Sequence, residues 1–197
     1  MFSIKEEKEI KLTIEKSKFF GLCFFCDSLT KQNEILKQVK RKNLNATHVC
    51  YGSLFFDGNQ ELSYSSDDGE PSGTAGLQIA NALKENKVVN TLVVVVRYFG
   101  GIKLGVGGLT RAYKDCAVET LKENLYQVFL KSKCNIKCKY AIFDYVKKYF
   151  EEKNIKFENL QFKNDIEFDC YLKEEEIKYL NNLDVLIDIN DKLKKYC

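Results

Sequence analysis

Apolar and polar residues alternate over residues 8–16 (KEIKLTIEK), the period of a strand with one face wet. Phe19–Cys26 (FFGLCFFC) is apolar almost throughout and predicts a second, more buried strand. Ser28 stands where an N-cap belongs, ahead of a helix reaching about Asn43 with Leu29, Leu36 and Val39 on its inner side. Ala46–Phe56 reads as a strand, closed by the turn Asp57-Gly58-Asn59, with a hairpin partner over Glu61–Ser65. A helix from about Gly73 to Glu85 turns Ala75, Ile79, Ala82 and Leu83 inward. Leu92–Val96 (LVVVV) is short, β-branched and without alternation, which predicts a central strand covered on both faces. Phe99–Gly108 reads as a glycine loop. A helix from about Leu109 to Glu123 follows it, burying Leu109, Ala112, Cys116, Ala117 and Leu121.

The pattern changes after about residue 130. Strands are expected at Cys134–Tyr140, Lys156–Phe162, Asp165–Leu172 and Val185–Ile189, and helices at Ala141–Lys153 and Glu174–Leu183. The order βαββαβ is the ferredoxin-like, split βαβ arrangement. The fold class is therefore α+β in two domains, 1–130 and 131–197, joined near Tyr126–Ser132.

A chain of 197 residues can bury a real core. Its net charge of +3 is too small to demand a polyanion partner and allows one only where charge is clustered. Residues 1–12 (MFSIKEEKEIKL) are too charged for the apolar region of an export signal, and the apolar run at Thr91–Val96 is far too short to span a bilayer. With eight cysteines and no export signal, the expected setting is the reducing cytoplasm, with thiols free and mostly buried.

Eight of the eleven glycines, the only proline (Pro71) and two of the three arginines fall within residues 64–115. Two motifs carry them, SDDGEPSGTAG and RYFGGIKLGVGGLTRAY. Together with SKFFG at 17–21 and ATHVCY at 46–51, these resemble the signature of the IMPACT family, whose bacterial branch is called YigZ. The resemblance covers roughly residues 5–125. It implies a first domain similar to domain IV of elongation factor G and a second similar to domain V, both of which meet RNA on the ribosome. It implies no settled enzymatic activity.

The glycine segment Gly100, Gly101, Lys103, Gly105, Gly107, Gly108 opens a helix, where free N–H groups and the dipole favour an anion. Lys103, Arg111 and Lys114 add full charges, and Arg97 leaves the buried strand just before it. This suits a phosphate or RNA-backbone grip. It is neither a P-loop nor GxGxxG, and the plain alternative is a tightly packed strand–helix crossover. The acidic loop Asp67, Asp68, Glu70 and Ser72 has three readings. It could hold Mg²⁺, it could pair with Arg97 or Arg111, or Ser72 or Thr74 could cap the next helix.

His48, the only histidine, shares a strand face with Cys50, but adjacent same-face positions splay apart and a catalytic pair is not favoured. Cys23/Cys26 and Cys134/Cys138 are poorly spaced for a four-ligand zinc site, so no metal or cofactor is expected. Tyr98 and Phe99 beside the glycine loop could stack bases or pack inward. The function that follows is non-enzymatic binding of RNA, the ribosome or a translation-associated partner, with regulation of translation a role that such binding could serve. The alternatives are a metal-dependent enzyme acting on a small phosphorylated or peptide-like substrate, and a pure protein-interaction module.

Overall fold

The computed structural model describes residues 1–57 and 60–196, so Gly58 and Asn59 of the expected turn lie outside the described residues. The chain forms two compact units, Met1–Val128 and Phe129–Cys197.

The first unit is built on β2 (Lys8–Ile14), β3 (Ser17–Phe25), β4 (His48–Asp57), β5 (Gln60–Ser66) and β6 (Thr91–Tyr98). They form one antiparallel sheet in the order β2-β3-β6-β4-β5. A two-residue turn, Glu15 and Lys16, joins β2 to β3, with φ of 45° and 64°, the left-handed pair that matches strand twist. β6 is central and buried on both faces, as its unbroken apolar run requires. On one face α2 (Gly76–Glu85) and α3 (Gly105–Leu121) bury Ile79, Leu83, Leu109, Tyr113 and Cys116 against Phe19, Val93 and Val95. On the other, α1 (Leu29–Lys42) covers Val49, Phe55, Val94 and Val96 with Leu36 and Val39.

Ser28 caps α1, its hydroxyl accepting from the Lys31 N–H, but Leu29 is 43% exposed and not on the inner side. It is the first helical residue, before the apolar stripe meets the sheet. α3 starts at Gly105, not Leu109, so Gly105, Gly107 and Gly108 form the helix's first turn instead of a loop. Two short strands, β1 (Phe2–Ile4) and β7 (Leu125–Gln127), pair antiparallel. At three residues each they are too short to show a period.

The second unit runs β8 (Leu130–Cys138), α4 (Tyr140–Lys153), β9 (Glu158–Phe162), β10 (Ile166–Leu172), α5 (Glu174–Leu180), β11 (Val185–Tyr196). Its antiparallel sheet has the order β11-β8-β10-β9. Ile136, Phe168 and Leu172 from the sheet pack on Val146, Phe150, Ile177 and Leu180 from the helices. β11 runs on to Tyr196, beyond the expected end at Ile189.

Candidate functional site

The antiparallel register sets Phe19 of β3, Arg97 of β6 and His48 of β4 in one row across the sheet. The loop between β5 and α2, residues 67–75, lies over the end of this row.

Its three carboxylates are all engaged by the protein. Asp67 is the cap of α2: Oδ1 accepts from the N–H groups of Ala75 (3.0 Å) and Gly76 (2.8 Å), and Oδ2 from Gly73 (2.9 Å). Burial pushes its carboxyl pKa up, but the three donors outweigh burial and hold it below the usual range. Ser72 is exposed, and Thr74 donates to the Pro71 carbonyl at 2.7 Å, so neither caps the helix. Asp68, at φ 44°, meets Lys40 Nζ at 2.7 Å through Oδ1 and accepts from the Val49 N–H at 2.7 Å through Oδ2.

Glu70 is buried, and its Oε1 accepts from Arg97 Nη1 at 2.6 Å and from the Tyr113 hydroxyl at 2.7 Å. Arg97 is buried too, with its guanidinium between the rings of Phe19 (5.4 Å) and Phe99 (5.6 Å). Its Nη2 reaches Ser17 Oγ at 3.4 Å, and its Nε has no hydrogen-bond partner among the described residues. Of the readings open for the loop, the geometry realises the pairing with Arg97, while the capping expected of Ser72 or Thr74 is done by Asp67 instead.

His48 Nδ1 lies 2.8 Å from the Asp68 carbonyl, which can only accept, so Nδ1 carries the proton. Its Nε2 faces Glu70 Oε1 at 3.8 Å. Cys50 donates to the Asp67 carbonyl at 3.0 Å, and burial pushes its thiol up to about 12, far from a nucleophile's range. The two side chains serve the loop rather than each other.

The four cations expected to converge on the glycine segment are divided. Arg97 is interior. Lys114 is held by Glu85 at 2.8 Å. Lys103 and Arg111 are exposed and border a cleft of about 470 Å³, which Glu15 and Asp115 also line above Ile14, Leu104 and Ala112. Gly100 is required by close approach: a Cβ there would land about 2.0 Å from the Lys16 carbonyl carbon. Gly107 is different, because a Cβ at this helical position would meet nothing within 4 Å. The start of α3 has no side-chain cap and no acidic residue in its first turn. Phe99 is 46% exposed beside it.

Cys23 and Cys26 fall in the cores on opposite faces of the sheet, while Cys134 and Cys138 share the core of the second unit. Among the described residues no cluster of three metal-ligating side chains forms, and no helix is long and apolar enough to cross a membrane. Tyr113 and Ser17 are the site residues that sequence reading missed. The available signal for Tyr113 was a hydroxyl on the inward stripe with Leu109, Ala112 and Cys116.

These features define an α+β protein whose first unit carries an acidic loop strapped onto an arginine of the central strand. The Impact N-terminal domain matches residues 15–121, more than half of the chain. IMPACT family member YvyE of Bacillus subtilis (strain 168) is 33% identical over 182 residues, 89% of this chain and 81% of that protein. The chain belongs to the IMPACT family. A family member from Thermus thermophilus is 51% identical over 109 residues, 55% of this chain and 57% of that protein. The crystal structure of a hypothetical protein superposes with a TM-score of 0.67 at 22% identity, covering 94% of this chain and 95% of that chain. That likeness concerns the fold.

Proposed function

We propose that the protein is a non-enzymatic, cytoplasmic binder of RNA, presented by the ribosome, acting beside the translation machinery through the glycine-rich start of α3. Gly107 carries this reading. Glycine within a helix costs about 0.5–1 kcal/mol relative to alanine. Nothing in the fold asks for it at an open position with nothing near. What a bare first turn offers is backbone that a large partner can approach closely, at the end of the helix that favours phosphate. Lys103 and Arg111 flank that turn without an ion-pair partner among the described residues, and exposed Phe99 offers a ring for a base.

Two further observations support the reading. The carboxylates of Asp67, Asp68 and Glu70 are committed to the protein's own groups, which disfavours a metal-dependent enzyme built on them. The βαββαβ order of the second unit and its strand order are those of a ferredoxin-like domain. With the likeness to elongation factor G domain IV that the family resemblance implies for the first unit, this favours RNA as the partner.

The test is a filter-binding titration with ribosomal RNA at several salt concentrations, wild type beside Lys103→Ala/Arg111→Ala. Affinity is expected to fall as salt rises. The double variant is expected to flatten the log–log slope by about two, for two lost phosphate contacts. No binding at low salt, or an unchanged slope, overturns the proposal.

A further inference from the structure

We infer that the free edge of β2 is an interface for a second copy of this chain, formed by antiparallel pairing about a two-fold axis at Ile10. The inference does not depend on the RNA-binding reading.

Among the described residues of the first unit β2 pairs with β3 alone. In a hairpin closed by a two-residue turn, the flanking residues, here Ile14 and Ser17, exchange both backbone bonds. Counting back along β2, Leu12, Ile10 and Lys8 face β3 in the same way. Glu9, Lys11 and Thr13 therefore turn their N–H and C=O groups to the open edge, and all three side chains are exposed. The edge holds no proline and its pairing to β3 runs without a bulge, so two devices that keep edges apart are missing.

Charge selects the register. An axis at Ile10 sets Glu9 opposite Lys11 of the other copy and Lys11 opposite its Glu9, two opposite-charge pairs at bonded positions, as an isologous contact requires. An axis at Glu9 stacks Glu9 on Glu9, and one at Lys11 stacks Lys11 on Lys11. An axis at Leu12 leaves Glu9 without a cation. Glu9 has no ion-pair partner of its own among the described residues, and Lys11 only overlies the Phe20 ring, at 5.7 Å. On the inner face Ile10 meets Ile10 at the axis. A seven-residue edge is small beside a standard interface, so the dimer is weak and concentration-dependent.

The experiment is sedimentation equilibrium of the full chain over a range of concentrations at low salt, with circular dichroism to monitor folding. Wild type is expected to show a monomer–dimer equilibrium. Lys11→Glu, which faces Glu9 with a like charge twice, is expected to raise the dissociation constant about tenfold. Glu9→Lys/Lys11→Glu reverses both members of each pair and is expected to restore wild-type association. A monomer at every concentration overturns the inference. So does a dimer indifferent to Lys11→Glu, or one that the double exchange fails to rescue.

Discussion

Arg97 Nη1 lies 2.6 Å from Glu70 Oε1, with both side chains buried and the guanidinium held between two phenylalanine rings. The same carboxylate oxygen takes the Tyr113 hydroxyl, whose pKa is raised, first by burial. Charged hydrogen bonds of this kind are strong, and either member left alone would be an uncompensated charge inside the protein.

Arg97→Met is therefore expected to destabilise the first unit by about 3–5 kcal/mol, measured by urea unfolding. Glu70→Leu on that background is expected to recover part of the loss, since no unpaired charge then remains. A loss under about 1 kcal/mol for the single change would show the pair to be incidental.

Asp67 sets an acid dependence. Its folded pKa is depressed, so its contribution is present above the unfolded pKa and is lost as pH falls through the folded one. Asp67→Asn is expected to be clearly less stable than wild type at pH 7. The difference is expected to start shrinking as pH drops below about 4, where the carboxylate of the unfolded chain takes up its proton, and to go on shrinking until the native carboxylate is protonated at lower pH. Denaturant midpoints of both proteins against pH test this, and a difference independent of pH contradicts it.

The seven described cysteines are all buried, and burial pushes Cys50 and Cys116 up to about 12. At pH 8 their thiolate fractions are on the order of one in ten thousand. Peptide mapping after iodoacetamide treatment of the native protein is expected to find these two positions unmodified, and labelled only once urea opens the fold. Rapid native labelling of Cys50 would revive a catalytic reading of its pair with His48.

Much of the fold was legible because burial writes directly into periodicity. β6 reads as a central strand because both its faces are covered, and the βαββαβ order after residue 130 follows from short alternating runs. The start of α3 was not legible, since glycine's low helix propensity hides a first turn that carries three glycines. The site was half legible. Residues 64–115 mark the right region, but charge alone cannot tell an arginine facing water from one facing a carboxylate. Arg97 ends a strand buried on both faces, and that burial outweighs its charge because Glu70, 27 residues earlier in sequence, arrives to meet it.

β7 ends at Gln127 and β8 begins at Leu130, within the stretch Tyr126–Ser132. Because each unit has its own core, residues 1–128 made alone are expected to keep native-like circular dichroism and a cooperative thermal transition. A fragment that is unfolded in buffer would show that the two cores stand or fall together.

One oxygen of Glu70 ties together segments separated by 27 and 43 residues, through Arg97 and Tyr113. Closing such distant loops is slow, and the bond can form only after β6 and α3 are in place. The network is thus expected to act as a latch that shuts after the folding barrier has been crossed. Its worth lies in lifetime: removing it is expected to speed unfolding while leaving the refolding rate nearly unchanged.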